Sequence, residues 1–165
     1  MKAASMMACI AAPLAAAMAV RRAADATTEC YPSDYVLTDF TASGEATNST
    51  TYTITEASFS YVDSDTGLSS TCGFNSTSTN LSPGGAYANY ACDSPLLQFS
   101  WGKVYDSEDY LLGVSETVCN STATTAGSFV PNLTCQDCAD GTGVECSLNS
   151  TTQSVKFSSW DPITG

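Results

Sequence analysis

Residues 96–105, LLQFSWGKVY, alternate apolar and polar side chains with a period of two. Successive side chains of a β-strand point to opposite faces, so Leu97, Phe99 and Trp101 share one face and supply the largest core side chains. The stretch predicts a half-buried strand. Beyond the N-terminal apolar run, no segment shows sustained helical periodicity, and the sequence therefore predicts an all-β protein.

Similar short runs flank this strand on both sides. Together with 96–105, the predicted strands are residues 35–40, 51–61, 68–74, 86–92 and 110–118, and a closing strand at 155–160. The polar, cysteine-rich region 120–154 predicts long loops or short strands joined by disulfides. Six or seven strands, with turn signals about every ten residues, favour a single all-β domain, a small disulfide-stapled β-barrel or sandwich. Closure into a barrel is favoured because it removes exposed sheet edges.

The N terminus has the organisation of a secretory signal. Lys2 precedes an apolar, alanine-rich run at 6–20, and Arg21 and Arg22 follow it. The run is about fifteen residues long, shorter than the roughly 20 needed to span a bilayer. We predict a signal peptide at 1–19, a dibasic pro-segment at 20–22 and a secreted β-barrel domain at 23–165. The predicted location is extracellular, with association with the cell wall as an alternative.

The charge balance excludes several classes of function. Once residues 1–22 are removed, Lys103 and Lys156 face seventeen carboxylates. Such an acidic chain repels phosphate backbones and anionic lipids, so neither nucleic acid nor a membrane is an expected partner. Histidine is absent, which removes the commonest general base and the usual zinc ligand. We therefore assign no catalytic residue, no cofactor and no metal ligand.

The cysteine count is odd in the predicted mature chain. Cys9 lies in the predicted signal peptide, which leaves Cys30, Cys72, Cys92, Cys119, Cys135, Cys138 and Cys146. An odd number in a secreted protein indicates an interchain bond or a free thiol. Cys30, close to the predicted mature end, is the favoured interchain cysteine. Alternatively, it pairs internally and a C-terminal cysteine is the odd one. The C-x-x-C spacing of Cys135 and Cys138 is interpreted as two structural half-cystines, since no βαβ pattern surrounds it.

Six tripeptides match the rule for N-glycosylation, and each predicts an exposed turn or strand end. They begin at Asn48, Asn75, Asn80, Asn120, Asn132 and Asn149. Pro83 directly follows the Asn80 tripeptide and disfavours modification there.

The segment 30–36, CYPSDYV, followed by Asp39 and Phe40, resembles the start of the mature chain in the fungal secreted family typified by the major allergen of Alternaria. The segment 59–62, FSYV, then Gly67, Cys72, residues 87–92 and the apolar strand 96–101 follow in that family's order. The resemblance covers residues 30 to about 118 and departs from the family in the polar C-terminal third.

This resemblance implies a secreted β-barrel with bridges from Cys72 to Cys92 and from Cys119 to Cys135, and a homodimer through Cys30. Cys138 and Cys146 are additional to the family's pattern and close a small extra loop if they pair with each other. The resemblance also implies binding of host defence proteins or of small phenolic ligands.

The predicted function is that of a non-enzymatic fungal protein acting at the host or cell-wall interface as an effector, an elicitor or an allergen-like binder. The strong negative charge favours basic partners. The aromatic residues Tyr87, Tyr90, Trp101 and Tyr105 are candidates for a ligand surface, but such residues more often fill a core.

Two alternatives belong to other classes. A carbohydrate-binding cell-wall protein requires an exposed aromatic platform, and a small glycoside hydrolase requires two carboxylates and no histidine. The acidic run 106–109, DSED, is interpreted as a solvated turn and not as a catalytic pair. Asp63 and Asp65 are likewise interpreted as turn residues and not as calcium ligands.

Overall fold

All regular structure in the described chain is β-strand. The computed structural model describes residues 31–47, 51–120, 123–139, 141 and 143–163. The strands are β1 (Asp34–Ala46), β2 (Tyr52–Val62), β3 (Ser69–Phe74), β4 (Ala88–Ala91), β5 (Leu97–Lys103), β6 (Tyr110–Val118), β7 (Ala123–Phe129), β8 (Leu133–Asp137), β9 (Gly143–Leu148), β10 (Thr152–Lys156) and β11 (Ser159–Pro162). In these ranges no helix is long and apolar enough to cross a membrane. The all-β prediction is confirmed.

The strands form two antiparallel sheets. The first has the order β3-β2-β1-β9-β8, and β10 also pairs with β1. The second has the order β11-β7-β6-β5-β4. Within the described ranges neither sheet closes on itself, so the expected closure into a barrel is not seen and the architecture is that of two facing sheets. Their inner faces enclose the core.

Strand β1 is long enough to pair with two different strands along one edge. Its first part pairs with β10 from Asp34 to Thr38, and its last part pairs with β9 from Thr41 to Glu45. Between the two parts, Asp39 adopts a positive φ of 54°, and the pairing with β2 shifts register there. Aspartate tolerates this left-handed conformation better than most residues, and the irregularity bends the strand. The bend lets one strand belong to both halves of the first sheet.

The inner faces are filled by the alternating side chains that the sequence predicted. Leu97, Phe99 and Trp101 of β5 are buried. The Trp101 ring stacks on Tyr110 with centroids 5.0 Å apart, and the Phe99 ring meets Phe59 of the opposite sheet edge-to-face at 5.2 Å. Each buried ring or branched side chain contributes roughly 1.5–3 kcal/mol by leaving water. The two sheets are therefore held together by a continuous aromatic core.

A disulfide joins the two sheets at one edge. Cys72 of β3 is bonded to Cys92, just after β4, with Cα atoms 4.3 Å apart, and the two residues also form an isolated β-bridge. This is the pairing that the resemblance implied. At the other edge, the chain passes from β10 in the first sheet to β11 in the second.

A second disulfide departs from the implied pattern. Cys135 of β8 is bonded to Cys146 of β9, with Cα atoms 4.0 Å apart, because the two residues lie directly opposite in the antiparallel pair. The bridge from Cys119 to Cys135 is therefore wrong, and so is a loop closed by Cys138 and Cys146. Cys119 is itself disulfide-bonded, and Cys138 follows β8 in a half-buried position. Cys30 lies outside the described residues.

The C-terminal third is richer in strands than the sequence predicted. Of the two forms expected for 120–154, short strands are observed, as β7 to β10. The single closing strand predicted at 155–160 is wrong. The chain breaks at Phe157 and Ser158, where the Ser158 amide donates to the Ala126 carbonyl at 2.7 Å and directs the chain into the second sheet. Gly127 permits the crossing, because a Cβ there would lie 2.5 Å from the Lys156 carbonyl oxygen.

The disulfide between the two sheets is expected to stabilise the fold more than the disulfide within the first sheet. Replacing Cys72 and Cys92 together by alanine should lower the free energy of unfolding by about 3 kcal/mol, because the cross-link constrains the unfolded chain and holds two sheets at their edges. Replacing Cys135 and Cys146 should cost less, since their loop is shorter and the neighbouring residues of β8 and β9 stay paired. Urea unfolding followed by tryptophan fluorescence measures both values. Equal losses in the two variants would contradict this ranking.

Candidate functional site

The outer face of the first sheet carries a groove of about 700 Å³. Hydroxyl side chains form one row across it, because Ser58, Thr41, Ser147 and Thr134 occupy opposed positions on β2, β1, β9 and β8. The Oγ atoms of Thr41 and Ser58 are hydrogen-bonded at 2.9 Å. Outward positions of a half-buried sheet are normally polar, so the same alternation that builds the core also builds this outer-face groove.

A second row places two glutamates in the outer-face groove. Glu56 of β2 and Glu145 of β9 both lie opposite Ser43 of β1, and the Ser43 hydroxyl donates to Glu56 Oε1 at 2.8 Å. Adjacent strands are about 4.8 Å apart, so the Cα atoms of the two glutamates lie roughly 10 Å apart. Among the described residues no lysine or arginine lines this groove. Its potential is therefore negative, which suits a cationic ligand.

Sequence reasoning did not identify Glu56 and Glu145 as site residues. The local signal exists in β9, where Val144 and Cys146 are buried while Glu145 is exposed. That alternation shows that Glu145 faces outward, but not which residues lie beside it. Only the pairing of β1 with both β2 and β9 brings the two carboxylates to one face.

A pair of carboxyl groups lies inside the protein, apart from the groove. Glu116 of β6 is 1% exposed and Asp63, just after β2, is 0% exposed. The Tyr61 hydroxyl donates to Glu116 Oε2, and the Thr66 hydroxyl donates to Oε1 at 2.7 Å. Asp63 Oδ1 accepts from the amide of Asp65 at 2.7 Å, whereas Asp63 Oδ2 is buried without a hydrogen-bond partner. We call Asp63 and Glu116 the buried carboxyl pair.

Burial raises the pKa of Glu116 to about 7. The donors Tyr61 and Thr66 act in the opposite direction, and the negative charge of the neighbouring Asp63 adds to the rise. Burial also raises the pKa of Tyr61, and the hydrogen bond to Glu116 adds to that effect. The hydroxyl of Tyr61 thus stays protonated as a donor, while Glu116 carries a proton at mildly acidic pH.

The buried carboxyl pair connects two parts of the fold. It connects the turn after β2 to β6 of the opposite sheet, and neither carboxyl lines the groove. Burial and the charge of Asp63 together favour the protonated form of Glu116. The sequence had indicated Asp63 only as a turn residue. For its partner, Glu116, the sequence signal is a glutamate at an inward-facing position of β6, between Val114 and Val118.

A smaller cleft of about 260 Å³ lies where the N-terminal segment meets β11. Tyr31, Pro32, Thr125, Phe157 and Ser158 to Trp160 line it. The rings of Tyr31 and Trp160 meet edge-to-face with centroids 5.0 Å apart. We call this the aromatic cleft.

The four aromatic residues considered from the sequence have different positions. Trp101 is buried in the core, and Tyr90 is half-buried and stacks on Phe74 at 4.9 Å. Tyr87 is half-buried beside Gly102, whereas Tyr105 is 89% exposed on the turn between β5 and β6. None of the four lines the groove or the cleft.

The acidic run at 106–109 is a solvated turn, as predicted. The Ser107 hydroxyl donates to Asp109 at 2.8 Å, and Lys103 forms an ion pair with Glu108 at 2.5 Å. Asp65 also lies in a turn, where its Oδ2 accepts from the amide and the hydroxyl of Ser33 at 2.9 and 3.0 Å. Within the described ranges no group of three or more His, Cys, Asp or Glu residues is placed to hold a metal ion.

The predicted glycosylation positions are mainly on the surface. Asn80 is half-buried and its Oδ1 accepts from the amides of Ser82 and Asn89 at 2.9 and 3.0 Å, while Asn48 lies outside the described residues. The exposed positions are Asn75, Asn120, Asn132 and Asn149. Asn75 lies at the rim of the outer-face groove, so a glycan there would narrow the groove.

The buried carboxyl pair predicts a loss of stability as the pH rises. The pKa of Glu116 is about 7 in the folded protein against 4.5 for an unperturbed glutamate, so its protonated form stabilises the fold fully below about pH 4.5. That contribution is lost as the pH rises through 7. Thermal unfolding between pH 5 and 8 should show a decline on the order of 2 kcal/mol.

Glu116→Gln should remove most of this decline, because the amide stays neutral across the range. Glu56→Gln is the matched control on the outer face, and it should keep the wild-type pH profile. A wild-type profile that is flat from pH 5 to 8 would contradict the assignment.

Comparison with known proteins shows the fold. No protein-family model matches the chain, and no curated protein matches it. A crystal structure of the Alternaria alternata allergen Alt a 1 superposes with a TM-score of 0.52 at 14% identity, covering 82% of this chain and 95% of that one. A second crystal structure of this major allergen gives a TM-score of 0.49 at 14% identity, covering 80% and 95%. The resemblance inferred from the sequence is confirmed at the level of the fold, and the chain has the fold of the Alternaria major allergen.

Proposed function

We propose that the protein is a secreted, non-enzymatic binding protein that recognises a positively charged partner, a basic host defence protein, in its outer-face groove. The observation that carries the proposal is the placement of Glu56 and Glu145 on either side of Ser43, in a groove lined by no lysine or arginine among the described residues. Exposed carboxylates at such a spacing accept charge-assisted hydrogen bonds from arginine or lysine side chains of a partner.

The charge of the whole chain supports the same partner. After residues 1–22, only Lys103 and Lys156 oppose seventeen carboxylates, and Lys103 is already paired with Glu108. A field of one sign accelerates the approach of an oppositely charged protein, and the groove then supplies specific contacts. Hydroxyls of Thr41, Ser58 and Ser147 extend the polar surface beside the glutamates.

The geometry favours binding over hydrolysis. A general acid of a glycosidase needs an apolar environment that keeps it protonated, but Glu56 and Glu145 are both exposed on an open sheet face. The buried carboxyl pair is shielded from water, but a substrate cannot reach it. The fold neighbour is described as an allergen and not as an enzyme.

Other parts of the proposal rest on the resemblance and on the N-terminal sequence. These parts are secretion after cleavage of residues 1–22, a homodimer through Cys30, and a small phenolic ligand. Carbohydrate binding is the second candidate function. It does not fit the outer-face groove, where the one aromatic residue among the lining, Phe74, is buried.

Neutralising the two groove carboxylates should weaken binding of a basic partner. We expect Glu56→Gln/Glu145→Gln to raise the dissociation constant for a purified basic plant defence protein at least tenfold, which corresponds to about 1.4 kcal/mol. Biolayer interferometry on the deglycosylated, secreted protein measures the effect, and deglycosylation removes any sugar from Asn75 at the groove rim.

The control is Asp106→Asn/Asp109→Asn, which removes the same two charges from an exposed turn. This control should change the affinity less than threefold, because only long-range attraction is reduced and 0.15 M salt screens that attraction beyond about 8 Å. Equal weakening in both double variants would show attraction by net charge without a site. An absence of binding to basic proteins by the wild type would exclude the proposed partner.

A further inference from the structure

The aromatic cleft is separate from the outer-face groove and remains without a role. It lies on the second sheet, where β11 pairs with β7 and the segment before β1 crosses the end of the sheet. We propose that the aromatic cleft binds a single neutral sugar ring of a polysaccharide, with Tyr31 and Trp160 as the stacking residues.

The two aromatic rings of the cleft are exposed to solvent. Trp160 is 42% exposed and Tyr31 is 56% exposed, although burial of either ring would be favourable. The only other large aromatic side chain exposed in the described ranges is Tyr105, which stands by itself at a turn. Tyr31 and Trp160 instead form a pair, with ring centroids 5.0 Å apart. Sugar rings bind proteins by laying their C–H face on such an exposed aromatic surface.

Both aromatic rings of the cleft are held by rigid elements. Trp160 lies opposite Thr125 in the β11–β7 ladder, and the Thr125 hydroxyl donates to the Ser159 carbonyl at 2.9 Å. On the other side, the Asp65 carboxylate accepts two hydrogen bonds from Ser33, two residues after Tyr31. A cleft that is formed before the ligand arrives loses less conformational entropy on binding.

The Ser33 segment is also tied to the floor of the cleft. The Ser33 carbonyl accepts from the amide of Phe157 at 3.2 Å, and the Phe157 ring packs on the buried Tyr35 ring at 5.0 Å. Both walls of the cleft and its floor are therefore connected to the protein core.

The lining indicates the chemistry of the ligand. It consists of aromatic rings, Pro32 and the hydroxyl residues Thr125, Ser158 and Ser159, with no charged side chain. A neutral molecule with an apolar face and a rim of hydroxyl groups matches that combination. The volume of about 260 Å³ is below the roughly 300–1,000 Å³ typical of small-molecule pockets, so the cleft accommodates about one ring. Because both aromatic rings are partly open to solvent, the rest of a polymer can extend away from the cleft.

Isothermal titration with chitohexaose and with a β-1,3-glucan hexasaccharide tests the proposal on the deglycosylated, secreted protein. We expect one of the two to bind, and we expect Trp160→Ala and Tyr31→Ala each to weaken binding at least tenfold. Asp65→Ala, which frees Ser33 without touching the cleft lining, should weaken binding by a smaller factor, which identifies Asp65 as a positioning residue.

Two variants serve as controls. Tyr105→Ala removes an exposed aromatic ring that lies outside the cleft, and Glu56→Gln/Glu145→Gln alters only the outer-face groove. Both should bind the oligosaccharide as the wild type does. The second control separates this proposal from the proposed function, since the groove variant loses the basic protein and keeps the sugar.

Several results would overturn the proposal. These are no binding of either oligosaccharide, wild-type affinity in Trp160→Ala, or equal weakening in Tyr105→Ala. Binding of catechol together with no binding of sugar would assign the cleft to planar phenols. A sedimentation coefficient that falls in Trp160→Ala, without any binding of sugar by the wild type, would assign it to contact between copies of the chain.

Discussion

The pairing of β1 is the constraint on which the rest of the structure depends. This thirteen-residue strand pairs with β2 on one side and with both β10 and β9 on the other. The positive φ at Asp39 marks the change of partner. If β1 slipped by one residue, Leu37 and Ala42 would leave the core and the row of hydroxyls would turn inward. The core, the groove and the position of the N-terminal segment are thus set by one register.

Polar groups inside the protein are stabilised in a different way from those on its surface. Exposed carboxylates and few cations keep the surface strongly negative, which suits solvated side chains. The buried carboxyl pair is tolerated only because one proton and the donors Tyr61 and Thr66 compensate for lost hydration. The pair connects the turn after β2 with β6, and the same turn holds Ser33 through Asp65. Glu116 and the N-terminal segment are therefore connected through the same turn.

Two surfaces of the fold offer different chemistry to a partner. The outer-face groove presents carboxylates and hydroxyls on the first sheet, whereas the aromatic cleft presents neutral rings at the end of the second. Similarity to the Alternaria allergen at 14% identity shows the fold and does not transfer a binding site. What the protein binds therefore depends on the side chains that it places on these two surfaces.

Local patterns in the sequence determined the fold class, and they did so correctly where alternation is regular. Leu97, Phe99 and Trp101 are buried as their spacing predicted, and β6 has the predicted bounds Tyr110–Val118. The predicted closing strand was wrong, and so was the partner of Cys135 that the resemblance implied, since both depend on which strands lie side by side. Alternation within a strand is a property of neighbouring residues and can be read from the chain. Tertiary structure alone decided that Glu56 and Glu145 flank Ser43 and that Tyr31 meets Trp160, because pairing between distant strands is set by packing of the whole core.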